Sequence, residues 1–116
     1  ILVVDDDPVQ REVLTRILTR LGYRVHAVAG GEEAVFFVRE HPQDLLILDM
    51  IMGGIDGTET YKRILEIHPQ QKAVILSGYA ESGRVAEARR MGASGFIRKP
   101  VNVQVLSCAI RDVLDG

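Results

Sequence analysis

Two hydrophobic rhythms alternate along the chain. Short apolar runs stand at Ile1–Val4, Val25–Val28, Leu45–Leu48, Ala73–Leu76 and Gly95–Ile97. They are mostly β-branched or leucine, the pattern of short strands buried on both faces. Between them, apolar residues recur at intervals of three and four. Val9, Val13, Leu14, Ile17, Leu18 and Leu21 form one such stripe, which gives a helix a single apolar face. Asp7, Pro8 and Gln10 ahead of it read as an N-cap, a first-turn proline and a capping-box-like partner. Gly22 reads as its stop. A second helix is predicted over Gly31–Glu40 and a third over Gly57–Ile67. They end before His41-Pro42 and His68-Pro69, because a residue preceding proline is pushed out of the helical region. A fourth is predicted over Ser82–Met91, with Gly92 after it. A fifth runs over Asn102–Leu114, with apolar residues at Val105, Leu106, Ala109, Ile110 and Val113.

Strict alternation of five strands and five helices predicts an α/β domain: a doubly wound parallel sheet with helices on both faces. The informative polar residues fall where the strands stop. The first ends in Asp5-Asp6-Asp7, the third in Asp49, the fourth in Ser77 and the fifth in Lys99. In open parallel sheets, ligands bind outside the carboxyl ends of the strands. A strand order of 2-1-3-4-5 brings all four ends to one rim. Crowded carboxylates repel one another, and a hard divalent cation relieves that repulsion. A lysine offers a point charge for a phosphoryl oxygen and a serine offers a hydroxyl donor. The set suits phosphoryl transfer, which is mostly positioning and charge neutralisation, with one carboxylate as nucleophile. Each residue alone is bland: Asp7 suits a helix cap, and a lone Ser or Lys after a strand says little. The conjunction at one edge carries the reading.

The remaining arithmetic narrows the field. At 116 residues and 12.8 kDa, the chain is read as one domain, 1–116. Its single cysteine, Cys108, excludes an intrachain disulfide and any multi-thiolate metal site; it is expected to pack beneath the fifth helix. No two of His26, His41 and His68 have metal-ligand spacing. No apolar run approaches the roughly 20 residues of a membrane helix, and no signal peptide is seen. A formal net charge of −2 argues against direct nucleic-acid binding. The chain starts at Ile1, already in a strand, so it is expected to be part of a longer protein.

The motifs Ile1-Leu2-Val3-Val4-Asp5-Asp6, Leu45–Met52 with Asp49, Asp56-Gly57, Leu76-Ser77-Gly78 and Lys99-Pro100 together resemble the receiver domain of bacterial two-component response regulators. The resemblance covers the whole chain and implies a flavodoxin-like fold with strand order 2-1-3-4-5. It implies that Asp49 is the phosphoacceptor, taking a phosphoryl group from a histidine of a kinase or histidine phosphotransfer domain. It further implies a Mg²⁺ ion held by Asp5, Asp6, Asp49 and the backbone carbonyl of Ile51, and a phosphoryl group contacted by Ser77 and Lys99. Phe96 matches the family's switch aromatic, and Pro100 its cis-proline. The family's homodimers form through the face of the fourth helix, fifth strand and fifth helix. The implied location is cytoplasmic, with no membrane contact by this domain. Parts of the sequence look most like receivers of hybrid sensor histidine kinases.

Two departures from the family pattern stand out. Gly53-Gly54 replaces the usual proline, loosening the loop after the third strand. Ile51 and Tyr79 flank the site with no group to position an attacking water, so slow self-hydrolysis is expected. The alternative is a haloacid-dehalogenase-type phosphatase, with Asp5 as nucleophile and Asp7 as acid/base; it leaves Asp49 and Asp56-Gly57 without a role. A flavodoxin-like cofactor binder is disfavoured because three aspartates would repel its phosphate. A purely interacting, non-phosphorylated receiver is disfavoured by the intact acidic, Ser and Lys set.

Overall fold

The computed structural model describes residues 1–50, 54–78, 86–87 and 89–115. Its elements in chain order are β1 (Leu2–Val4), α1 (Pro8–Arg20), β2 (His26–Val28), α2 (Gly31–Glu40), β3 (Leu46–Asp49), α3 (Gly57–Ile67), β4 (Ala73–Ser77), β5 (Gly95–Arg98) and α4 (Val103–Asp115). The last corresponds to the fifth predicted helix. The fourth predicted segment is helical at Ala86, Glu87, Arg89 and Arg90, while residues 82–85 and 88 lie outside the described residues. The strands form one parallel sheet in the order β2-β1-β3-β4-β5. No helix among the described residues is long and apolar enough to cross a membrane.

Successive side chains of a strand point to opposite faces, so each buried strand feeds two cores. Leu2, Val4, Leu46, Leu48, Ala73 and Ile75 join Ala34, Val38, Tyr61 and Ile64 of α2 and α3. Val3, Ile47, Val74, Leu76 and Ile97 join Leu14, Leu18, Leu106, Ile110 and Val113 of α1 and α4. This two-sided burial is why the strands read as continuous apolar runs. It also pins the register, since a one-residue slip would exchange the two sets.

The helix ends follow the local chemistry. The Asp7 carboxylate accepts the Val9 N–H at 2.9 Å, with Pro8 at the first helical position. At the other end of α1, Gly22 adopts φ +96°. Its N–H donates to Thr19 O, and the Tyr23 N–H donates to Leu18 O, the paired bonds of a Schellman stop. His41 and His68 cap α2 and α3 in extended conformation, φ −134° and −129°, as their following prolines require. The Asn102 side chain accepts the Val105 N–H at 2.8 Å and opens α4.

One expectation is corrected. Cys108 is exposed, not packed beneath the last helix. The buried positions of α4 are Leu106, Ile110 and Val113. Cys108 lies two residues from both Leu106 and Ile110, half a helical turn away, on the outer side. Its small apolar side chain says nothing of helical phase, whereas the spacing of its neighbours does.

Candidate functional site

The strand register builds the rim. Asp5 follows β1, and its N–H donates to Val28 O of β2. Asp49 closes β3 opposite Leu76, and Ser77 closes β4 opposite Arg98. The Lys99 N–H donates to Ser77 O at 2.8 Å, carrying the sheet's hydrogen bonding one residue past β5. Asp5, Asp49 and Lys99 stand two residues beyond the core residues Val3, Ile47 and Ile97. The alternation that buries those three thus delivers two carboxylates and one ammonium to one side of the rim.

The groups meet. Lys99 Nζ donates to Asp49 Oδ1 at 2.8 Å. Asp5 and Asp49 are buried, at 2% and 3% exposure, while the Lys99 side chain is 35% exposed. Asp5, Asp6 and the buried Asp49 each place a carboxylate oxygen within 4.8 Å of the others, with Asp6 on the exposed side. Among the described residues, three carboxylates gather beside the Lys99 ammonium. The strain falls on Asp5. Its Oδ1 accepts the Asp7 N–H at 3.0 Å, whereas Oδ2 is buried without a hydrogen-bond partner among the described residues. Burial pushes the Asp5 pKa up from 3.8 to about 6, and the neighbouring Asp49 and Asp6 add to the rise. The Asp7 N–H and the Lys99 charge oppose it. An orphaned, buried carboxylate oxygen beside two more carboxylates fits a hard divalent cation that takes a few oxygen ligands.

The surroundings hold this geometry. Asp56 caps α3 by accepting the Glu59 N–H at 2.9 Å. Gly57 lets α3 press against the end of β3: a Cβ there would sit 2.6 Å from Asp49 O and 2.8 Å from Met50 Cα. Ser77 is buried at the end of β4. Phe96 is half-buried against the α2–α3 core, and the Arg89 guanidinium lies over its ring at 4.6 Å from the centroid, a cation–π contact. The Lys99–Pro100 peptide bond is cis. Ile51, Gly53 and Tyr79 lie outside the described residues.

Arg11 is a rim residue that the strand-end pattern does not reveal. From the first turns of α1, its Nη1 donates to the Asp5 backbone carbonyl at 2.8 Å. A cation near a helix N-terminus opposes the helix dipole. That anomaly, read beside three aspartates, is the signal in the sequence that points to it.

Asp7 does not join the carboxylate group. It is exposed, and its Oδ1 accepts the Val9 N–H, so the residue the phosphatase reading needs as acid/base serves as a helix cap.

Comparisons with known proteins place the chain in one family. The response regulator receiver domain family matches residues 1–111. The chain is 31% identical over 114 residues to sporulation initiation phosphotransferase F of Bacillus subtilis, covering 98% of this chain and 92% of that protein. It is 36% identical over 114 residues to the transcriptional regulatory protein AfsQ1 of Streptomyces coelicolor, covering 98% of this chain but only 50% of AfsQ1. Among solved structures, a response regulator receiver domain protein from Clostridium thermocellum superposes with a TM-score of 0.94 at 28% identity, over 98% of this chain and 92% of that one. The phosphatase alternative gains no support from these matches.

Proposed function

The chain belongs to the response regulator receiver family, and from that premise we propose that Asp49 accepts a phosphoryl group from a histidine of a kinase or histidine phosphotransfer partner. The observation that carries this reading is the 2.8 Å Lys99–Asp49 pair set among three carboxylates whose oxygens lie within 4.8 Å. In the transfer, an Asp49 oxygen attacks phosphorus in line with the phosphorus–nitrogen bond of the donor. The new oxygen–phosphorus bond forms as the old bond breaks. Its electron pair stays on the imidazole nitrogen, which is then protonated from solvent. Lys99 moves its charge from the Asp49 carboxylate to a phosphoryl oxygen, and the Ser77 hydroxyl donates to another. Asp5, Asp6, Asp49 and the backbone carbonyl of Ile51 are the residues that would hold Mg²⁺, which when bound supplies charge neutralisation at the phosphoryl oxygens.

The product is a switch. Phosphorylation adds charge and three acceptor oxygens at the rim. Ser77 is drawn toward them, and the space it leaves admits Phe96, reshaping the face made by the 86–91 segment, β5 and α4. This is a shift between two states biased by a local charge event. The same face is the one through which a homodimer would form. The domain assists its own phosphorylation and dephosphorylation without being an independent enzyme. It works in the cytoplasm, with no direct contact of its own to nucleic acid or membrane. The signal passes onward to the rest of a parent protein, such as a hybrid sensor kinase or a regulator with an output domain, or to a separate partner.

Phosphoryl uptake from acetyl phosphate tests the reading. The protein should gain one phosphoryl mass with Mg²⁺ present and none with the cation chelated. Lys99→Ala should slow uptake at least tenfold. Equal uptake with and without a divalent cation would overturn the assignment of the acidic rim.

A further inference from the structure

We propose that Arg11 is a positioning residue for the cation site, acting through the backbone of Asp5. The inference rests on the functional reading above. Side-chain hydrogen bonds tie the turn between β1 and α1. Asp7 N–H donates to Asp5 Oδ1 at 3.0 Å, Val9 N–H to Asp7 Oδ1 at 2.9 Å, and Arg11 Nη1 to Asp5 O at 2.8 Å. The first two are local and use short side chains. The third spans six residues and is the one that returns from the body of α1 to the end of β1. It fixes the Asp5 peptide plane, and with it the direction of the Cα–Cβ bond. One Asp5 oxygen is then committed to the turn, and Oδ2 is left buried and unpartnered as the oxygen for a cation. Arg11 is half-buried and Thr15 Oγ1 donates to its carbonyl at 2.7 Å, so its backbone is held as well. A charged donor gives the Asp5 carbonyl a stronger bond than a neutral one would. Groups that orient metal ligands without touching the metal typically change affinity by about 10- to 100-fold when removed.

Mg²⁺ titration by calorimetry of wild type, Arg11→Met, Arg11→Lys and Arg11→Gln tests this, with urea unfolding of each metal-free variant alongside. Methionine keeps the apolar stem and removes the donor. Arg11→Met should bind Mg²⁺ about tenfold more weakly, and Arg11→Lys should recover part of the loss because it keeps a charged donor. If Arg11→Met fails to fold, lysine should still bind more tightly than glutamine. A purely structural tie predicts lower metal-free stability with unchanged Mg²⁺ affinity across the series, and that result would overturn the proposal. Asp5→Ala separates the two claims. If wild type binds Mg²⁺ and Asp5→Ala does not, the site stands and the Arg11 series judges Arg11 alone. If Asp5→Ala binds as wild type does, the acidic rim is not the cation site and both readings fall.

Discussion

Asp5 shows how much a single residue of this site works against folding. Its carboxyl is buried beside Asp49 and Asp6, and its pKa stands near 6 instead of 3.8. The folded state therefore holds the Asp5 proton more tightly than the unfolded chain does. This group's contribution to stability is full below pH 3.8 and is lost as pH rises through about 6. Asp5→Asn should accordingly be more stable than wild type in metal-free buffer at pH 7.5, by about 1–3 kcal/mol, with the gap closing at pH 4; urea unfolding at the two pH values measures it. Lys99→Met removes the cation from a buried carboxylate, and a buried charge stripped of its partner is destabilising. It should cost about 1–3 kcal/mol without Mg²⁺ and less once the cation is added, read from the same unfolding curves. Single residues were unevenly legible. Asp5, Asp49 and Ser77 could be singled out because each directly follows an apolar run, and Lys99 because only Arg98 separates it from the last run. Arg11 follows no such run; its one trace in the sequence is a cation set against the helix dipole, and its contact depends on a side chain folding back over a helical turn. Cys108 was misplaced for want of a phase argument.

At the scale of elements, the helix boundaries were legible because their stops are local. His-Pro ended α2 and α3, and an Asp-Pro pair opened α1. The strands β3 and β4 end at Asp49 and Ser77 as expected, one residue past their apolar runs, and both residues still pair within the sheet. A polar residue at a strand end keeps its backbone ladder even when its side chain leaves the core pattern. Packing between elements was not legible. Gly57 read as the start of the third helix, yet what it also provides is contact: α3 abuts the backbone of Asp49 and Met50. Gly57→Ala should therefore push α3 away from β3. Overpacking of this kind costs about 1–3 kcal/mol, and the variant should lose Mg²⁺ affinity along with stability. Gly22→Ala, which strains a left-handed stop remote from the rim, should lose about 1 kcal/mol and bind Mg²⁺ as wild type does. Parallel unfolding and titration of the two variants separate packing at the site from packing elsewhere.

For the whole molecule, the sheet's two-sided core does the positioning. Alternation of strands and helices implied a doubly wound parallel sheet, the family resemblance implied the order 2-1-3-4-5, and that order brings the ends of β1, β3, β4 and β5 together. What the pattern did not contain is the sharing of charge within the rim, because that depends on distances between residues far apart in sequence: Lys99 reaches Asp49 across a separation of 50 residues. A rim that gathers the carboxylates of Asp5, Asp6 and Asp49 within 4.8 Å should be stabilised by any cation that binds the folded state alone. Mg²⁺ at about 100 times its dissociation constant should add about 2.7 kcal/mol. The measurement that bears most directly on the account is the location of the phosphoryl group after reaction with acetyl phosphate and Mg²⁺, mapped by mass spectrometry of peptides. The account predicts a label on Asp49 that Asp49→Ala abolishes. A label on Asp5 that persists in Asp49→Ala would contradict it.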